Sequence, residues 1–176
     1  MPVCNRFEVR LSPNEDDSRI VDYLLYTDLP AGTQVVLGCK RTYLDLSGAT
    51  SLWLGHSERL ALIPNIYDGN SGYRGKIDVI ASDREAFDRF RRIFSEFPAD
   101  ISTPVSDMFT VVFTVGGRQR LKEFGHNNSA LSGDLVSDDG GIKFVQVTKG
   151  LHIPVRSDFG DRSPGQAASK DKDVSR

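Results

Sequence analysis

Apolar and polar residues alternate along much of this chain with a period of two. Phe7, Val9 and Leu11 alternate with Arg6, Glu8 and Arg10. That pattern predicts a half-buried strand with one wet face. Two further apolar segments, residues 20–26 and 35–39, flank Leu29-Pro30-Ala31-Gly32. Both arms are rich in Val, Ile, Tyr and Thr, and neither is long enough for a good helix. Pro30 suits position i+1 of a tight turn and Gly32 suits i+3. The segment predicts two adjacent antiparallel strands, with much of the remaining chain packing against them.

Residues 40–46 continue extended until Ser47-Gly48 breaks them. Leu52-Trp53-Leu54 and residues 60–63 read as one interrupted strand or two short ones, ended by Pro64. The lone Trp53, between two leucines, reads as core. Residues 65–75 read as a loop and 76–81 as a strand, with Ile77 and Val79 on one face. The period then changes. Ser82-Asp83-Arg84-Glu85 fits a capping box, in which Ser82 and Glu85 each satisfy a backbone donor. Phe87, Phe90, Phe94 and Phe97 follow at three- and four-residue spacing, and Pro98 stops the run. This predicts one amphipathic helix covering a sheet face or an open end.

Met108–Val115 has apolar residues on both faces and reads as a central strand. Residues 118–124 form a helical turn or continue extended, and 125–136 lead by a loop into a strand. Asp138-Asp139-Gly140-Gly141 is a hairpin turn of the Asp-Gly type. Residues 142–148 return, and 151–155 are a last apolar stretch whose Pro154 suits an edge. From Arg156 the chain has too little apolar content to offset its ordering entropy. The expected organisation is one β-sandwich domain, 1–155, and a disordered tail, 156–176. The fold class is mainly β: an antiparallel β-sandwich with one amphipathic α-helix, since a doubly wound sheet would need several crossover helices.

Composition narrows the function classes. The 176 residues suffice for one domain with a real core, and 39% are apolar. No run approaches the roughly 20 apolar residues of a membrane helix. The net charge of −2 is spread without blocks, so no nucleic acid or other polyanion is implied. The arginines of the helix are cancelled by Asp83, Glu85, Asp88 and Glu96, a solvated surface with i,i+4 pairs Glu85–Arg89 and Asp88–Arg92. Cys4 and Cys39 make no disulfide framework and read as free thiols. No signal peptide is visible at Met1-Pro2-Val3-Cys4. The location is cytoplasmic if Met1 is the natural start, and extracytoplasmic if a signal was removed.

Candidate chemistry is sparse. Asp68-Gly69-Asn70-Ser71-Gly72 begins like a calcium loop, but Gly72 stands where Asp or Asn is wanted and Val79 where the closing Glu should be. The acids Glu15-Asp16-Asp17 lie in a polar turn without further ligand spacing. His56, His126 and His152 are widely separated, with no zinc spacing and no Gly-x-Ser-x-Gly elbow. No cofactor, metal or catalytic residue is assigned. Asn127-Asn128-Ser129 fits a glycosylation acceptor, relevant only in a eukaryotic secretory setting. The reading is a non-catalytic domain that binds a protein or small ligand through loops. Tyr67, Tyr73, Arg74 and His126 are the contact candidates, because aromatic residues and Arg dominate interface energetics. Two alternatives come from other classes: a small hydrolase using His56 and His126, and a structural subunit assembling through a strand edge.

Thr27-Asp28-Leu29-Pro30-Ala31-Gly32-Thr33 resembles a turn of bacterial immunoglobulin-like β-sandwich domains, in which Thr-Asn-Leu-Pro-x-Gly-Thr joins two strands. Asp28 replaces the usual Asn. The spacing Asn128…Leu131…Gly133…Val136 is similar to their closing segment. The helix departs from a plain sandwich. The resemblance implies an immunoglobulin-like fold and an extracytoplasmic bacterial setting, such as an envelope or cell surface. It implies no activity and carries over no site residues.

The tail gives the first test. Trypsin should rapidly cut 156–176, which holds Arg156, Arg162, Lys170, Lys172 and Arg176, and leave a stable core by mass spectrometry. Protection as long-lived as the core's would show that the tail is docked.

Overall fold

The computed structural model describes residues 1–44, 50–65, 70–93 and 106–154. Tyr67, Phe94, Phe97, Pro98 and the expected tail lie outside these, as does the side chain of Phe90.

Two antiparallel sheets share one core. The first has the order β1 (Phe7–Pro13), β2 (Ile20–Thr27), β6 (Ser71–Asp78), β5 (Ile63–Pro64). The second has the order β4 (Thr50–Ala61), β3 (Gln34–Leu44), β7 (Met108–Val115), β9 (Ile142–His152), β8 (Ser137–Asp139). Odd-numbered residues point inward on the strands that build the core: Phe7 and Val9, Val21, Tyr23 and Leu25 from the first sheet, Val35, Leu37, Phe109, Val111 and Phe113 from the second. The period-two pattern thus becomes a mainly β sandwich. β7 is paired on both sides, by β3 and β9. That explains its two apolar faces, since even outward-facing Val112 is buried. Beyond Phe144, β9 is paired on one side only among the described residues. The β8–β9 hairpin turns at Gly140-Gly141, both with positive φ (59° and 82°), as the mirror-image two-residue turn requires.

The structure corrects several expectations. First, β2 and β3 are not paired; they belong to opposite sheets. Alternation tells which face of a strand is buried, not which strand lies beside it. The turn is shifted by one residue. Thr33 N donates to Pro30 O at 3.2 Å, so Gly32 occupies i+2 with φ +86°, where a left-handed residue is needed. The crossing is tied down by Gly32 N to Leu62 O (2.8 Å) and Leu62 N to Thr33 O (3.0 Å). Leu62 is itself the single residue between β4 and β5, where the chain crosses back.

Second, the segment expected to be interrupted is one long strand, β4. Gly38 faces Ser57 and Lys40 faces Leu54, so Gly55 and His56 together oppose Cys39 in a bulge. A Cβ at Gly55 would collide with the backbone carbonyl of Ser82, so only glycine admits the helix this close.

Third, the helix α1 (Val79–Ile93) starts directly after β6. Its cap is Asp78, whose Oδ1 accepts from Ala81 N at 2.9 Å. Ser82 is inside the helix, and its Oγ accepts from His56 N at 3.1 Å. Val79, Ser82, Asp83 and Ala86 are the buried stripe, at i, i+3, i+4 and i+7. Val79 fits both the strand and the helix period, which is why the boundary reads late. Arg89 does pair with Glu85, at 3.7 Å. Arg92 instead donates to the Asp88 carbonyl.

Asp83, expected on the wet face, is buried against Arg41 of β3. Arg41 Nε donates to Asp83 Oδ1 at 2.8 Å and Nη2 to Oδ2 at 3.0 Å. Nη1 donates to the carbonyls of Ile153 (2.9 Å) and Ser106 (3.4 Å). The guanidinium lies 5.1 Å from the Phe109 ring centre, a cation–π distance. Burial raises the Asp83 carboxyl above its ordinary value, and Arg41 opposes that rise. Removing one partner leaves an uncompensated buried charge. Arg41→Met should therefore cost about 3–5 kcal/mol in urea unfolding, and Arg41→Met with Asp83→Leu much less than the sum of the singles. Strict additivity would show that the two do not act as a unit.

Candidate functional site: the outer face of the four-stranded sheet

The residues proposed for contact from sequence do not converge. Tyr67 is outside the described residues. Tyr73 and Arg74 stand on β6, not on a loop. The glycines that suggested a loop serve close approach instead. A Cβ at Gly72 would meet the Leu25 carbonyl, and one at Gly75 the Tyr23 hydroxyl and ring. Tyr73 faces inward, stacked on Tyr23 with ring centres 6.2 Å apart, so it belongs to the core. Arg74 faces outward and is exposed. His126 is exposed on a short 3₁₀ turn, His126–Asn128, that packs against β9.

His56 is on β4, with β3 and β7 between it and β9 in strand order. Its Nε2 lies 3.9 Å from Glu58 Oε2, and Glu58 Oε1 accepts from the Tyr23 hydroxyl at 3.3 Å. Burial, the largest cause, pushes the Tyr23 hydroxyl far up, so it stays protonated near neutral pH. The two histidines named for hydrolysis therefore stand apart, one on β4 and the other on a turn against β9.

Arg74 joins a different group. With odd residues inward, the even residues of β1, β2 and β6 form the outer face of the first sheet. Register sets them in rows. Arg10 faces Leu24, which faces Arg74; Glu8 faces Tyr26, which faces Gly72; Ser12 faces Asp22, which faces Lys76. Adjacent strands lie about 4.8 Å apart, so the two arginines flank Leu24. A groove of about 280 Å³ is lined by Arg6, Glu8, Arg10, Leu24 and Tyr26. The Arg6 guanidinium sits 5.6 Å from the Tyr26 ring centre and bonds Glu8 Oε1 at 2.9 Å. That bond holds the Glu8 carboxyl below its ordinary value. Asp22 is engaged by Asn14 at 2.6 Å and approached by Lys76 at 3.9 Å. The face carries Arg6, Arg10, Arg74 and Lys76 against Glu8, Asp22 and the helix-capping Asp78, on a chain whose net charge is −2. Arg10 and Arg74 make no ion pair among the described residues. Two forked donors beside an apolar floor can hold a carboxylate or phosphate while an apolar group rests on Leu24 and Tyr26.

A second groove, of about 260 Å³, opens over the buried ion pair between Arg19, Ile80, Asp83 and Ile153. Its Arg19 is already forked onto Asp17. Near His126, buried Asn128 has φ +58°. Its Nδ2 donates to Gly116 O (2.7 Å) and Lys143 O (2.9 Å), closing the end of β7 onto β9. Among the described residues no group of three or more His, Cys, Asp or Glu could hold a metal ion. No described helix is long and apolar enough to cross a membrane.

No protein-family model, curated protein or solved structure matches the chain.

Cys4 and Cys39 are free and buried. Burial, the largest cause, pushes Cys4 up to about 11 and Cys39 up to about 12. Neither thiol supplies a thiolate nucleophile at neutral pH. Both hold protons that an unfolded chain releases around the ordinary thiol value of 9.0. Their contribution to stability is thus full below that value and is lost as pH rises toward 11 and 12. For Cys39 the slope reaches about 1.4 kcal/mol per pH unit. Urea midpoints measured upward from neutral pH should decline across this window, and less in Cys39→Ala. An identical decline in that variant would contradict the assignment.

Proposed function

We propose that this protein is a non-catalytic binding domain that holds a negatively charged protein segment or small ligand on the outer face of β1, β2 and β6. The observation that carries the reading is the row Arg10–Leu24–Arg74, in which two guanidinium groups that make no ion pair among the described residues stand on either side of an apolar residue. Of the contact residues chosen from sequence, Arg74 belongs to this face. Tyr73 supports it from beneath by packing on Tyr23.

The immunoglobulin-like comparison is part of the same proposal. Lettered in chain order, β1, β2, β6 and β5 would be A, B, E and D, and β4, β3, β7 and β9 would be C′, C, F and G. That is the order of immunoglobulin sandwiches, and it supports the resemblance of the Thr27–Thr33 turn. An extracytoplasmic bacterial setting, at an envelope or cell surface, follows only through that resemblance. Such folds host many functions, so the site and not the fold carries the binding argument.

The test uses a glutamate-rich peptide as the probe, with a lysine-rich peptide of equal length as control. Amide shifts should move at residues 8, 10, 24, 26 and 74 with the acidic probe alone. Arg10→Glu with Arg74→Glu should weaken binding by about tenfold or more, since the loss of two charge-assisted contacts exceeds about 1.4 kcal/mol. Shifts elsewhere, or unchanged affinity, would refute the face. The hydrolase alternative has its own test. His56→Ala with His126→Ala should leave stability within about 1 kcal/mol. If the wild type turns over an ester, peptide or glycoside and this variant does not, the binding reading falls.

A further inference from the structure

β1 is an edge strand. It pairs with β2 on one side, and no described strand pairs with its other side. The segment around Ser132 covers only the chain before it, through Cys4 N to Ser132 O (2.7 Å) and Leu135 N to Cys4 O (3.2 Å). An open edge is a template for another strand, and charges on an edge commonly block that pairing. Along the outward face the charges alternate in sign from Arg6, just before β1, through Glu8 to Arg10, with neutral Ser12 next. This pattern does not block every partner; it favours a copy that sets an arginine opposite Glu8. A two-fold at Phe7 would do so with Arg6, but it would carry the pairing onto Cys4, whose backbone already bonds Ser132 and Leu135.

We propose that two copies of this chain pair antiparallel through β1, about a two-fold axis at Val9. In that register Glu8 of each copy faces Arg10 of the other, and Arg6 faces Ser12. On the inner face Val9 meets Val9, and Phe7 meets Leu11. Opposite charges directly across a strand pair are favourable, and like charges are not. The neighbouring registers that keep inward residues inward fail this requirement. A two-fold at Glu8 sets Glu8 against Glu8 and Arg6 against Arg10. A two-fold at Arg10 sets Arg10 against Arg10. A one-residue slip of one copy turns its apolar face outward. Arg10, which has no ion pair within its own chain among the described residues, gains one across the axis. Leu11, half-buried at the margin of the core, gains an aromatic neighbour. Such an interface is isologous and closes at two copies.

The full-length chain is tested by sedimentation velocity across a concentration series. The wild type should show a monomer–dimer equilibrium. Arg10→Glu and Glu8→Arg each place like charges opposite one another twice, and each should weaken the dimer by about tenfold or more. Glu8→Arg combined with Arg10→Glu restores opposite charges in the same register, and should recover wild-type association to within about threefold. Far-UV circular dichroism should be unchanged in all three, because the positions face solvent. A wild type that stays monomeric throughout the series overturns the proposal. So does a dimer indifferent to the single substitutions, or one that the combined exchange does not recover. Arg74→Glu separates this idea from the binding face. Arg74 lies two strands from the axis, so that variant should lose the acidic probe and keep the dimer.

Discussion

The buried pair Arg41–Asp83 is the constraint on which the arrangement around the helix depends. An arginine inside a sandwich is tolerable only if its donors are answered. Asp83 answers two directions, and the carbonyls of Ser106 and Ile153 answer others. Those groups come from α1, the entry to β7 and the exit of β9, and the cation itself from β3. Four separate stretches of chain are thereby referred to one planar cation. Once Asp83 is placed, Ser82 must lie against β4, and β4 must have glycine there. The bulge at Gly55-His56 and the helix position are two aspects of one fit.

The strand content of the sandwich could be read in the sequence because each strand carries its own evidence of a wet and a dry face. Phe7, Val9 and Leu11 say so locally, and β7 announces its central place by being apolar on both faces. Partner choice is not local. Nothing in residues 20–39 distinguishes a hairpin from a crossing between sheets. The distinction is made by Leu62, far along the chain, whose backbone completes the crossing at Gly32 and Thr33. The helix start is ambiguous in sequence for a related reason: Val79 satisfies both periods, and Asp83 reads as solvated without Arg41 beneath it.

The candidate face was half visible. Arg74 stands out by its chemistry, and the alternation Arg6-Glu8-Arg10 is plain in the sequence. The row that unites them requires register, and register requires β6 to be a strand. The glycines at 72 and 75 argued for a loop, since a missing Cβ looks the same whether it frees the backbone or makes room for a neighbour. Here it makes room for Leu25 and Tyr23. Tyr73 changes its meaning in consequence: an aromatic on a loop is a contact candidate, whereas the same residue on an inward strand position is core.

The central place of β7 has a kinetic consequence. Its two neighbours are β3, which precedes it by the whole of β4, β5, β6 and α1, and β9, which follows a long irregular segment. Both pairings close large loops, and nonlocal contacts of this kind form late. Until then the Met-Phe-Thr-Val-Val-Phe-Thr-Val run of β7 has neither face covered. It is β-prone, uncharged and free of proline, the composition of an aggregating segment. The strand that completes the native sandwich is therefore also the main hazard on the way to it, and conditions that slow the closing of β3 onto β7 would favour aggregation over folding.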